Sequence, residues 1–289
     1  MVADMKSCPP SEPTTNIPTT QMLKYLQGPP FTGRQGPPAV WGPKYLERAT
    51  KLLENPEWLL AAFDASVTEF AQAYRNYQPF RPVEKHFGAW ADTKIPHGQS
   101  LRGTTDVAYR LAEKPRWDVE GGPKLSFRYL DREIVIAHAK PRPNPSNPKQ
   151  ASLRVDLILG NETTRAPILC EVKVKNDRNA FYALIQLLTH ASYGVTPSQR
   201  ERLVLYGSQR DFILKQAIPG RPATIDLYVM FVDQPSDEWH QKILMKSIAL
   251  SRKLMSDERV RSRIGKIAWI EGEDDGSQGL TLRALTREA

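Results

Sequence analysis

Between Ser152 and Lys175 the chain reads SLRVDLILGNETTRAPILCEVKVK, two strand-like runs about a single turn. The turn segment GNETTRAP holds Gly, Asn and Pro, residues that punctuate strands. If Leu159 stands opposite Ile168 in an antiparallel pair, then Leu157 faces Cys170, Val155 faces Val172 and Leu153 faces Val174. All four pairs are apolar and fall on one face, as a side-chain period of two demands. A one-residue slip would throw the whole set out of phase, so the register is strongly specified.

The same register sets Asp156 against Glu171 and Arg154 against Lys173 on the opposite face. Directly opposed side chains lie about 5 Å apart at Cβ, where like charges destabilise. Two facing carboxylates therefore want a cation between them. Mg2+ suits the position, with Mn2+ as a possible substitute, because it takes a few carboxylate oxygens and keeps its other positions for water and phosphate. Lys173 lies two residues beyond Glu171, about 6–7 Å along the strand on the same face. Metal, water and ammonium together are the parts that phosphodiester hydrolysis needs. A plainer reading stays open: a sheet with one solvated face also alternates its charges, and Arg154 and Lys173 could relieve the acidic pair. Against it stands the next segment, NAFYALIQLLTHASYG, an apolar helix that should cover this face and desolvate the charges.

The rest of the chain supplies the frame. Residues 1–43 are dense in Pro, Thr, Gly and Ser and read as an extended or disordered arm, available for a protein partner. From Pro43 apolar residues recur at three- and four-residue intervals, which predicts helices over about 44–54 and 56–76, with Asn55 capping the second. Thr104–Glu113 reads as a short helix. KLSFRYLDREIVIAHA reads as a strand pair turning near Leu130–Arg132, and KPRPNPSNPKQ as a basic loop. After the apolar helix, RLVLYGS and TIDLYVMFVD read as strands and EWHQKILMKSIALSRKLMSDERV as a long helix. IGKIAWIEGE reads as a last strand, with GLTLRAL a weaker one. The fold class is thus α/β, a mixed sheet flanked by helices with a helical N-terminal region. We divide the chain into the arm, 1–43, and one domain, 44–289, with a helical part, 44–124, and a sheet-bearing part, 125–289.

Asp156, fourteen intervening residues, and then Glu171-Val172-Lys173, placed between strands and a following helix, resemble the PD-(D/E)XK nuclease superfamily. The resemblance covers roughly residues 125–210 and implies a restriction-endonuclease-like αβββαβ core. It implies an Mg2+-dependent deoxyribonuclease in which Asp156 and Glu171 hold the metal and Lys173 orients or deprotonates the attacking water. The residue before the Asp is Val155 where the family pattern has Pro. Many members add a metal-binding Glu from the helix before the sheet; Glu69, Glu84 and Glu113 are candidates, and Glu69 has the better amphipathic helix. Gln186, thirteen residues after Lys173, matches the Gln of the RecB-like Gln-x-x-x-Tyr pattern, although the position four later is His190. A polar residue on the solvent edge of a helix is an equally good reading of Gln186.

Other chemistries find less support. His86, His97, His138, His190 and His240 show no metal-binding spacing, and no Gly-rich phosphate loop occurs. Two cysteines, Cys8 and Cys170, cannot ligate an iron–sulfur cluster, and Cys170 sits on the apolar face as an inert thiol. No apolar run reaches membrane-spanning length and no secretory signal opens the chain, so an intracellular protein, cytoplasmic or nuclear, is expected. The net charge of +8 favours polyanionic partners, and the resemblance implies that the partner is DNA. Lys140, Arg142 and Lys149 are the better candidates for backbone contact. The run Arg252, Lys253, Arg259, Arg261, Arg263 and Lys266 alternates with acids and reads as a solvated helix end. Two further expectations stand beside the nuclease: a catalytically inactive nuclease-fold subunit that binds nucleic acid or protein, and a homodimer.

Overall fold

The computed structural model describes residues 38–73, 103–121, 125–138, 152–175, 177–214, 224–234, 237–274 and 279–285. Most of the predicted arm, Glu84, the 140–150 loop, Cys8, His86 and His97 lie outside them. So do the side chains of Leu153, Arg154 and His138.

Two helices come first, α1 (Pro38–Glu54) and α2 (Glu57–Ala73). Asn55 accepts the Glu57 N–H at 3.2 Å, the cap expected between them. Helix α1 starts before residue 44 because Trp41 and Tyr45 are both buried and pack edge to face, which ties the first turn to the core. Then follow α3 (Thr104–Ala112), β1 (Trp117–Val119), β2 (Leu125–His138), β3 (Ser152–Asn161) and β4 (Pro167–Val174). Helix α4 (Ala180–Gly194) is the predicted apolar helix, capped by Asn179, whose side chain accepts the Tyr182 N–H. After it come α5 (Pro197–Gln209), β5 (Ile225–Val232), α6 (Glu238–Met255), α7 (Glu258–Arg261), β6 (Ile264–Asp274) and β7 (Leu280–Ala284).

Two expectations fail here. The segment RLVLYGS is helical, part of α5. Pro197 sits in its first turn, and the surrounding Gln, Arg, Glu and Leu are strong helix formers, so propensity over the longer window overrides a short apolar run. The segment 125–138 is one strand, not a hairpin. The irregularity near Leu130 is a bulge, where the β2–β3 register shifts between Tyr129 and Asp131.

The seven strands form one mixed sheet in chain order. Neighbours pair antiparallel except β4–β5 and β5–β6, which run parallel. The sheet curls until its edges meet at Glu120, whose N–H donates to Leu282 O at 2.9 Å and whose carbonyl accepts from Ala284 N at 2.7 Å. This closure leaves two apolar layers. Inside the curl lie Phe127, Leu157, Leu159, Ile168, Cys170, Val172, Tyr228, Met230 and Ile270, closed over by Val107 and Leu111 of α3. Outside it Ile158, Leu169, Leu227, Val229 and Phe231 meet the apolar sides of α1, α2, α4 and α6.

Candidate functional site

The β3–β4 hairpin adopts the predicted register, with Leu159 opposite Ile168 and Leu157 opposite Cys170. Beyond that pair the ladder stops. The Val172 N–H, which points toward β3, is taken by Asp156 Oδ2 at 2.8 Å. The strands part where the acidic residues begin, and the Asp156 side chain replaces the backbone partner. Val155 departs from the expected layer and joins the core beneath the helices, apart from Leu157.

Alternation along β4 sends Cys170 and Val172 inward and Glu171 and Lys173 toward α4. Both charged residues are buried, at 2% and 4% exposure, which only mutual satisfaction makes tolerable. Lys173 Nζ donates to Glu171 Oε1 at 2.9 Å and to Gln186 Oε1 at 3.0 Å. Its third neighbour is Asp177 Oδ2 at 3.3 Å. The Tyr182 ring, one turn before Gln186 on α4, lies with its centre 5.1 Å from the ammonium. Helix α4 thus brings Gln186 to the site, as the solvent-edge reading did not anticipate. Asp177 and Tyr182 were not legible as site residues. Asp177 stands only four residues after Lys173, and that closeness in sequence is the signal it offers.

The electrostatics follow from burial. Desolvation, with the Asp156 charge second, pushes the Glu171 carboxyl up to about 8 against an opposing pull from Lys173. Burial also raises Asp156, with Lys173 and the Val172 N–H pulling the other way. The Asp156 charge reaches Glu171, so the two carboxyl groups act on each other directly. Lys173 is held well above its ordinary range by Glu171, Asp177 and Asp156, which together outweigh its own desolvation. His190, one turn beyond Gln186, is driven down to about 3, first by burial and then by the Lys173 charge. It is a neutral imidazole with an unpartnered Nδ1. Cys170 is buried and its thiol pushed well up, as expected of an inert residue.

The pair suits a hard divalent cation on two observations. Glu171 Oε2 is buried with no hydrogen-bond partner, and the neighbouring carboxyl groups are an anionic pair in a desolvated place. Of the three sequence-predicted third ligands Glu84 lies outside the described residues, and the other two are not brought in. Glu69 is exposed on α2. Glu113 is exposed beside Arg110, 3.4 Å from its guanidinium. Among the described residues no three His, Cys, Asp or Glu side chains gather where they could hold one ion. Asp156 and Glu171 are therefore the ligands on offer among the described residues, and water and substrate can complete such a shell, the way Mg2+ is commonly held.

The C-terminal basic run is tied up in ion pairs. Arg259 bonds Glu57 and Asp257, Arg263 bonds Asp64, and Arg261 bonds Glu258. Among the described residues no helix is long and apolar enough to cross a membrane. Set against models of known families, against curated proteins and against solved structures, the chain matches none.

Proposed function

We propose that this protein is a metal-dependent nuclease hydrolysing phosphodiester bonds of DNA, built on a restriction-endonuclease-like core of the PD-(D/E)XK type. One observation carries the reading: a buried ammonium on β4 lies within hydrogen-bond reach of Glu171 and of Gln186, beside a carboxyl pair whose own charges repel. Structural ion pairs seldom add a second carboxylate to an already paired site, because each buried charge costs several kcal/mol. The arrangement suits a group that must receive a cation and a phosphate. Three antiparallel strands followed by α4 agree with the first part of that core, while α5 stands where a simple αβββαβ order would pass directly to a strand.

Asp156 and Glu171 would hold Mg2+ or Mn2+, which when bound supplies a Lewis acid and a water of lowered pKa. Lys173 holds a positive charge beside them, where it can orient the attacking water and balance charge developing on the phosphate. Gln186 fixes the ammonium from α4, so the lysine is positioned by two rigid elements. Asp156 also ties β3 to β4 through the Val172 N–H, which sets the separation of the two carboxylates.

The test is cleavage of supercoiled plasmid, linear duplex and single-stranded DNA with Mg2+, Mn2+ or EDTA. Metal-dependent cutting by the wild type, lost in Asp156→Ala, supports the reading. Well-folded protein that neither cuts nor binds metal by calorimetry overturns it. A second reading has two observations in its favour: among the described residues no third carboxylate joins the pair, and the lysine is already engaged. On that reading the chain is an inactive nuclease-fold subunit that binds nucleic acid or protein, and it would bind DNA equally in EDTA and Mg2+.

A further inference from the structure

We infer that Asp177 is a charge gate on this site: a positioning residue that occupies the third face of the Lys173 ammonium until a backbone phosphate of a nucleic-acid strand replaces it. The inference rests on the nuclease reading. A lysine ammonium has three donors and no acceptor, and here three acceptors surround it. They are Glu171 at 2.9 Å, Gln186 at 3.0 Å and Asp177 at 3.3 Å. The three are not equivalent. Glu171 is on a central strand and nearly inaccessible, and Gln186 is on a packed helix. Asp177 is on the loop after β4, its side chain is half exposed, and its contact is the longest.

The backbone of that loop is held while the carboxylate is left at the rim. Asp177 N donates to Val174 O at 3.1 Å, and Gln234 Nε2 reaches both Lys173 O at 2.9 Å and Asp177 O at 3.2 Å. Releasing Glu171 would strand a buried charge, which is expensive. Releasing Asp177 returns an exposed carboxylate to water at little cost. It is therefore the one partner that an incoming anion can displace. A neutral ligand has nothing to offer the ammonium in exchange, and it leaves the gate shut. The gate discriminates by charge at the point where Lys173 must act.

The experiment measures binding without cleavage. A fluorescein-labelled oligothymidylate is titrated in EDTA, followed by anisotropy, against wild type, Asp177→Asn, Lys173→Ala and the double variant. Lys173→Gln stands in if the alanine variant does not fold. Asp177→Asn should bind about two- to fivefold tighter than wild type, the range of an exposed ion pair. That gain should vanish when Lys173 is absent. A gain of equal size in both backgrounds makes Asp177 a bulk negative charge and overturns the gate. So does an unchanged affinity. Absence of binding by all four proteins also overturns the gate, which needs only the ammonium and a phosphate; the nuclease reading is tested separately, by cleavage in Mg2+.

Discussion

Replacing Glu171 by Gln should make the protein more stable at neutral and alkaline pH, although it removes a central residue of the site. In the folded chain burial and the Asp156 charge raise the Glu171 carboxyl from 4.5 to about 8. Between those values the folded state holds a proton that the unfolded state has lost. Stability from this group is therefore complete below pH 4.5 and is lost as pH rises through 8. At about 1.4 kcal/mol per pH unit the ceiling on that loss is about 5 kcal/mol. The proton is shared with Asp156, and relaxation around the pair lowers the cost, so about 1–3 kcal/mol at pH 8 is the working expectation. In a chain of this size about 1 kcal/mol moves the melting temperature by about 2–4 °C. Glutamine keeps an acceptor for Lys173 and removes the charge that burial and Asp156 oppose. Thermal melts of wild type and Glu171→Gln from pH 5 to 9 should give curves that meet near pH 5 and diverge as pH rises. Added Mg2+ should raise the wild-type melting temperature and leave the variant unmoved. A variant that is less stable at pH 8, or whose advantage grows toward pH 5, refutes the reasoning.

Two other perturbations test the surroundings of the site. His190 is held down at about 3, below its ordinary 6.5, so its stabilising effect is present above pH 6.5 and is lost as pH falls toward 3. His190→Leu should flatten the acid limb of a stability–pH profile by up to about 1.4 kcal/mol per pH unit in that window, read by urea denaturation; an unchanged slope contradicts the assignment. A Cβ at Gly160 would stand 2.2 Å from the Phe212 ring, which closes over β3. Gly160→Ala should cost about 1–3 kcal/mol by overpacking, and an unchanged denaturation midpoint would show that the ring moves aside freely.

The hairpin that carries the candidate residues was more legible in the sequence than the details of the sheet around it, and the reasons are physical. Pairing Leu157 with Cys170 and Leu159 with Ile168 was readable because both partners are short-range in sequence and apolar on one face. That alone placed Glu171 and Lys173 on the face that α4 covers. The separation of the strands at Asp156 was hidden, since nothing in a side-chain pattern says that a carboxylate will take the Val172 N–H. Residues 202–208 misled because LVLY suits a strand as well as a helix, and Pro197 at the helix start decides it from outside the window. Residues 125–138 misled because the polar interruption at Asp131 marks a bulge, which breaks alternation as a turn would. The closure of the sheet at Glu120 was beyond reach, since it joins the first strand to the last through backbone atoms. The role of Asp177 is hidden because it lies in a loop, where no periodicity assigns a side chain to a face.

The most direct test of the nuclease claim is single-turnover DNA cleavage by Lys173→Ala in saturating Mg2+, with the metal-induced melting shift measured on the same protein. Lys173 stands beside the carboxyl pair and bonds Glu171. Its loss should cut the rate by about 10²–10³-fold, the usual cost of removing one positioned electrostatic donor, while the melting shift persists. A folded Lys173→Ala protein that cleaves at the wild-type rate would contradict the assignment of this site.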